Sequence, residues 1–226
     1  MRLRRGLTVL GVLAGLSAAG CNALSNNPGA DRTDLVSDLS TRLARAEGLA
    51  YTADYQLAGG RPATVANAPT PRRAAYTYPG GKLIIVPGAT TDCRPVAGGS
   101  RCTQAARPSP EPELQPGMVA LLRDNGLVTA AVVIGLLNAT ALDSDATIAQ
   151  RDTTLAGQHA TCVRVEAVDN APASTFEACV TTDGVLGSFT GTVNGARIDL
   201  AMTRYRGTVT PDAFDPPAGA QLVGSP

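Results

Sequence analysis

The C-terminal part of the chain is constrained most tightly by its turns, because each one sets a hairpin register that can be checked against the others. A hairpin centred between Asn170 and Ala171 places Cys162 opposite Cys179, Arg164 opposite Glu177 and Val165 opposite Phe176. A turn at Asp183-Gly184 puts Phe189 opposite Ala178, and one at Asn194-Gly195 puts Leu200 opposite Phe189 and Ile198 opposite Gly191. Asp-Gly and Asn-Gly are the strongest short hairpin signals, since a tight turn needs residues that accept positive φ. Taken together, the registers gather Val163, Val165, Phe176, Ala178, Val180, Val185, Phe189, Ile198, Leu200 and Met202 on one face. The other face collects Arg164, Glu177, Thr190, Arg197, Asp199 and the Cys162/Cys179 pair. A slip of one residue would scatter the apolar set over both faces. The spacing therefore predicts a four-stranded antiparallel meander with one apolar side.

An apolar sheet face must be covered by another layer. Thr33 or Asp34 can cap a helix in which Leu35, Leu39 and Leu43 recur at one-turn intervals, and Gly48 ends it. Beyond it, Tyr51, Ala53, Tyr55 and Leu57 alternate with Thr52, Asp54 and Gln56, the pattern of a half-buried strand. Further strands are predicted at Ala63 to Ala68, Ala74 to Tyr78 and Lys82 to Val86, separated by breaker-rich turns. After a Pro-rich break from Pro108 to Pro116, Met118, Leu121 and Leu122 open a helical pattern that passes Asn125-Gly126 and runs on from Leu127 to Leu137. The second of these two helices is apolar on nearly every side, which marks it for burial. It is far short of the ~20 residues that span a bilayer. The fold class expected is α+β, with the helices layered on the apolar face of the sheet.

The start of the chain has a separate role. Arg2, Arg4 and Arg5 precede an apolar run from Leu7 to Leu16, and Ala18-Ala19-Gly20 leads directly to Cys21. This reads as a bacterial lipoprotein signal over residues 1–20, with Cys21 as the lipidated first residue of the mature chain. Residues 21–33, polar and rich in breakers, then form a tether to the membrane. The folded domain is expected over residues 34–221, with 222–226 as a tail. Of the five cysteines, Cys21 is thereby the odd one, and Cys93/Cys102 and Cys162/Cys179 each bracket a turn. Two disulfides complete the count and fit an exported, oxidising setting.

Signs of catalysis are sparse. The single histidine, His159, falls in a turn-like Ala156-Gly157-Gln158-His159 stretch, and no G-x-S-x-G elbow is present. Asp143-Ser144-Asp145 lacks the Gly and Glu of a calcium loop and reads as the acidic end of a helix. No CxxC spacing suggests a metal, and no glycine loop between strand and helix suggests a nucleotide. Lys and Arg total 19 against 19 Asp and Glu, so no basic surface for nucleic acid is implied. Neither an enzyme nor a cofactor is expected.

The helix from Asp34 to Glu47, the strand Tyr51-Thr52-Ala53-Asp54-Tyr55-Gln56-Leu57 with Ala58-Gly59-Gly60, the turn Pro79-Gly80-Gly81-Lys82-Leu83, and the ending Val209 to Pro217 resemble one known family. It is the LolA/LolB and LppX/LprG half-barrel superfamily of envelope proteins. The resemblance covers roughly Asp34 to Gly219, and Cys21 matches the lipidated members rather than the soluble carrier LolA. It implies a strongly curved antiparallel sheet, a half-barrel, covered by helices around a cavity for lipid or acyl chains. In this chain the cavity would be lined by Val165, Phe176, Ala178, Gly187, Phe189, Ile198, Leu200 and Met202. A packed core on the same face fits the residues equally well, because a strand glycine marks close approach of a helix as readily as space for a ligand. Some members of this shape act as sensors that bind partner proteins. A membrane-tethered lipid carrier and an accessory lipoprotein that binds an envelope protein are thus the two functions implied.

Overall fold

The computed structural model describes residues 28–106 and 114–224. The expected signal peptide, Cys21 and most of the tether lie outside the described residues. Helix α1 (Pro28–Arg45) runs into a short 3-10 turn, Ala46–Gly48, and then six strands follow as a meander: β1 (Tyr51–Leu57), β2 (Arg61–Pro69), β3 (Arg72–Tyr78), β4 (Gly81–Val86), β5 (Ala89–Val96) and β6 (Gly99–Ala106). Helices α2 (Pro116–Asp124) and α3 (Ala130–Leu142) come next. A second meander, β7 (Thr147–Leu155), β8 (Gln158–Glu166), β9 (Phe176–Thr181), β10 (Leu186–Val193) and β11 (Ala196–Arg206), leads to a 3-10 turn at Pro211–Phe214 and a last strand, β12 (Gln221–Val223).

Among the described residues all strands join one open 12-stranded sheet in the order β12-β6-β5-β4-β3-β2-β1-β11-β10-β9-β8-β7. The two meanders meet where β1 pairs with β11, and every neighbour is antiparallel except β12, which lies parallel to β6. The sheet with its three covering helices is the α+β half-barrel that the sequence implies.

The registers read from the turns are those observed: Cys162 faces Cys179, Val165 faces Phe176, Phe189 faces both Ala178 and Leu200, and Ile198 faces Gly191. Asn194 and Gly195 both take positive φ, 48° and 82°, as a two-residue hairpin of this twist requires. Cys93 and Cys102 sit opposite each other on β5 and β6, and both expected disulfides, Cys93–Cys102 and Cys162–Cys179, are formed.

One core fills the concave side. Val36, Leu39 and Leu43 of α1, Leu122 of α2, and Val133, Leu136 and Leu137 of α3 pack with Val163, Val165, Phe176, Ala178, Phe189, Ile198, Leu200 and Met202 of the sheet. The Phe176 and Phe189 rings stack with centroids 5.9 Å apart. A smaller cluster lies on the convex side, where Phe214 covers Ala66, Ala75, Ile84 and the Cys93–Cys102 disulfide under the Arg73 guanidinium, 4.4 Å above its ring. Lys82 Nζ donates to the Asp215 carbonyl at 2.7 Å and holds this C-terminal crossing in place.

Several boundaries differ from expectation. Helix α1 starts at Pro28 rather than Thr33 or Asp34, so the expected tether is partly helical. Proline suits a first helical turn because its fixed φ is already helical and no N–H is required of it there. The tail begins inside β12, a three-residue edge strand too short to leave a periodic signal. His159 lies in β8 rather than a turn. The turn closes at Ala156-Gly157, and the His159 carbonyl accepts from the Thr182 N–H at 3.0 Å. Asp143 does end α3, accepting the N–H groups of Asp145 at 2.9 Å and Asp169 at 2.8 Å, which holds its carboxyl below the usual range.

Candidate functional site

Two β-bulges decide which side chains face the concave side. In β11, Asp54 pairs with Arg204 but Tyr55 pairs with Met202, so Thr203 is the extra residue. That change of parity lets Met202 and Tyr205 share a face, and it brings the Tyr205 ring to 6.3 Å from Tyr51. On the convex side the same bulge is knitted by Thr203 Oγ1 donating to the Asp54 carbonyl and by Arg206 Nη1 pairing with Asp54 Oδ2, both at 3.1 Å. In β10, Leu186 pairs with Val180 while Ser188 pairs with Cys179, leaving Gly187 as the extra residue.

The β10 bulge corrects one expected site residue. A Cβ on Gly187 would lie 2.8 Å from Leu155 Cδ1 and 3.3 Å from the Cys179 carbonyl, so Gly187 is turned toward β7 and the convex cluster of Ala160, Cys162 and Cys179. It does not face a cavity. Of the other residues assigned to the cavity, Val165, Phe176, Ala178, Phe189, Ile198 and Met202 are buried in the close-packed core, and of the set Leu200 also borders open space on the concave side.

The open space lies one half-sheet away. A partly enclosed cleft of about 420 Å³ sits over the concave face of β1 to β3, bounded by the end of α1, the β9–β10 turn and the segment leading into α3. Its apolar walls are Leu43, Val65, Ala74, Ile85, Leu114, Leu127, Val128, Val185 and Leu200, and three tyrosines, Tyr51, Tyr55 and Tyr76, also line it. These side chains point inward because Tyr51 and Tyr55 occupy alternate positions of β1, Val65 and Asn67 of β2, and Arg72, Ala74 and Tyr76 of β3. A cleft of this volume is within the range that holds small ligands.

Polar groups gather toward one side of the cleft. Arg72 Nη2 and Glu47 Oε2 pair at 2.6 Å with side chains 67% and 48% exposed, so the pair contributes little to stability. Asn67 Nδ2 donates to the Leu49 carbonyl at 2.6 Å and to the Glu47 carbonyl at 3.2 Å, tying the end of α1 to β2. The Tyr55 hydroxyl donates to the Leu186 carbonyl at 2.7 Å beside the β10 bulge. Burial, then the neighbouring Tyr76, Tyr205 and Glu47, raise the Tyr51 phenol well above its ordinary range. Burial with Glu47, partly offset by Arg72, pushes Tyr76 up to about 12. Thr129 Oγ1 caps α3 by accepting the Val132 N–H at 3.4 Å, and this fixes where the helix begins at the cleft wall.

A second, shallower hollow lies on the convex face among Arg164, Glu177, Thr190 and Arg197, the polar side that the turn registers assign to these residues, and Gly191 also borders it. It is a solvated face with paired charges, including Arg151 with Glu177 and Arg164 with Glu166 at 2.8 Å. Cys162, Glu177 and Cys179 lie close enough to share a metal ion, but both sulfurs are joined in the disulfide and offer no thiolate. No helix among the described residues is long and apolar enough to cross a membrane. The two disulfides mark the domain as extracytoplasmic.

No family model matches the chain, and no curated protein matches it. Among solved structures it is similar to MucB, at 15% identity with a TM-score of 0.51 over 84% of this chain and 66% of MucB. An uncharacterized conserved protein from Thermus thermophilus matches at 13% identity and a TM-score of 0.47, over 84% of this chain and 98% of that one. MucB in complex with MucA(peri) matches at 16% identity and a TM-score of 0.44, over 84% of this chain and 62% of that one. At these identities the likeness to MucB is one of fold.

Proposed function

We propose that the protein is a lipid-anchored envelope lipoprotein, tethered through Cys21, that binds the apolar chain of a lipid in the cleft over β1 to β3. The observation that carries this reading is the cleft itself: about 420 Å³ of space, walled by aliphatic and aromatic side chains, on a concave face that is otherwise filled. An apolar ligand entering such a space removes its own surface and that of the walls from water. No catalytic group is required, and the role is one of holding or handing on a lipid.

Organic extraction of the purified protein followed by mass spectrometry tests this directly, with a co-purifying acyl lipid as the expected result. Ala74→Trp is the matching variant, because Ala74 is half-buried on β3 and borders the cleft. Its indole should take the space of the ligand and abolish recovery of lipid while the protein stays folded. If the wild type yields no lipid and Ala74→Trp lowers stability by the ~1 to 3 kcal/mol of an overpacked core, the carrier reading is wrong.

A second reading is favoured by the filled half of the concave face, where α1 and α3 leave no room over β8 to β11. There the protein would serve as an accessory that binds an envelope protein, as MucB binds MucA(peri). Absence of lipid in the extraction, with the domain stable and folded, is the outcome this reading expects.

A further inference from the structure

The cleft presents three chemistries side by side. Leu43, Val65, Ile85 and Val128 are purely apolar, Tyr51 and Tyr76 add phenol hydroxyls, and the Arg72–Glu47 pair stands at the exposed side. Among the described residues the Tyr55 hydroxyl has a protein acceptor, whereas those of Tyr51 and Tyr76 have none. Two neutral donors without protein acceptors, next to an apolar wall, suit a ligand with a carbonyl or ether oxygen at the head of a hydrocarbon chain.

We propose that the cleft selects an acyl chain in its neutral ester form, with Tyr51 and Tyr76 donating hydrogen bonds to the ester oxygens. This rests on the lipid-binding reading above and specifies which end of the lipid is recognised. A free fatty acid is disfavoured electrostatically. The charge of Glu47 already favours the neutral state of both phenols, and a carboxylate set against them would meet the same repulsion. Arg72 offsets this only in part, since its guanidinium is paired with Glu47. An ester carries no charge to be repelled, yet its carbonyl accepts both hydroxyls.

Displacement of a bound naphthylamine fluorophore by laurate or by methyl laurate at pH 8 tests the proposal with the purified full chain, whose lack of tryptophan leaves the probe emission unobscured. The wild type should bind the ester at least about fivefold more tightly than the carboxylate. Removing the hydroxyls in Tyr51→Phe/Tyr76→Phe should weaken ester binding by roughly tenfold, as expected for about one net hydrogen bond's worth of affinity. Laurate binding should change little. Each single variant keeps the ring and its packing and should show a smaller loss, which carries the test should the double variant fold poorly. Equal binding of ester and acid by the wild type, or unchanged ester binding in the double and both single variants, overturns the ester proposal and leaves the lipid cleft standing. Failure of the probe and of both ligands to bind overturns the lipid reading and this inference with it.

Discussion

Gly184→Ala isolates the contact that seats the first helix on the sheet. Gly184 lies in the β9–β10 turn with φ +87°, and a Cβ there would sit 2.0 Å from the Arg42 carbonyl oxygen and 2.7 Å from its carbon. Nothing at that distance is the flexible end of a side chain, so either α1 or the turn must move. Gly195 in the next turn is the control: its φ is +82°, and a Cβ there meets nothing within 4 Å. Gly195→Ala therefore reports the left-handed conformation alone, about 1 to 2 kcal/mol. Gly184→Ala adds the overpacking of a rigid backbone neighbour, a further ~1 to 3 kcal/mol, for a total of about 2 to 5 kcal/mol. Urea unfolding of both variants, followed by circular dichroism, measures the difference at unchanged slope. Equal losses in the two variants would refute the argument that this turn and α1 are in fixed backbone contact. The same displacement should also disturb the cleft, because Leu43 and Ala46 of α1 and Val185 of the turn form part of its wall.

Reduction of Cys93–Cys102 and Cys162–Cys179, which close 9 and 17 residues of sequence, should lower stability by roughly 2.5 to 3 kcal/mol each on the chain-entropy account. Peptide mapping of the oxidised protein should recover these pairs and no mixed one. All five tyrosines are raised above their ordinary range, chiefly by burial. The folded chain should thus show little tyrosinate absorbance at 295 nm near pH 10.5. Since only the unfolded chain loses those protons between pH 10 and about 12, stability should fall as pH rises through that window. A full five-tyrosine titration near pH 10 in the folded protein would contradict the burial. Cys21→Ser should abolish incorporation of labelled palmitate while the domain still folds, and labelling that survives the change would remove the lipoprotein reading.

What the sequence made legible, and what it concealed, follows from where each signal resides. Turn residues carry register, and so the β8 to β11 face could be assembled in advance from Asn170, Asp183-Gly184 and Asn194-Gly195. The bulge at Gly187 was invisible for a specific reason. Next to the turn, Leu186 pairs with Val180, one step out of the expected register, and the extra residue restores it in time for Phe189 to meet Ala178. The distal pairs thus agree with the turn while the glycine between them points the other way. Strand β7 was also unread, because Thr147–Leu155 is an edge strand exposed along most of its length and has no apolar alternation to betray it. The cleft was missed because its wall is drawn from α1, β1 to β3, the β9–β10 turn and the entry to α3 together. The signal that was available was the alternation of Tyr51, Tyr55 and Tyr76 with small residues, a pattern read only as strand.

The two halves of the concave face differ because of side-chain size, and that difference sets where a ligand can go. Over β8 to β11, Phe176, Phe189, Ile198 and Leu200 reach up to meet α1 and α3, and the space between layers is filled. Over β1 to β3 the inward positions include the small Ala53, Ala63 and Ala74, with Tyr51, Tyr55 and Tyr76 standing among them. A tyrosine needs a partner for its hydroxyl when buried, so it cannot close the gap as a phenylalanine would. Tyr55 finds that partner in the Leu186 carbonyl, and so it sits at 5% exposure within the core. Tyr51 and Tyr76 remain half-buried at the cleft. Small residues beside them keep the space open, and their hydroxyls keep it from being purely apolar. Replacing Ala74 removes the space and leaves the donors, whereas Tyr51→Phe/Tyr76→Phe removes the donors and leaves the space. The two changes therefore separate recognition of the hydrocarbon chain from recognition of its head.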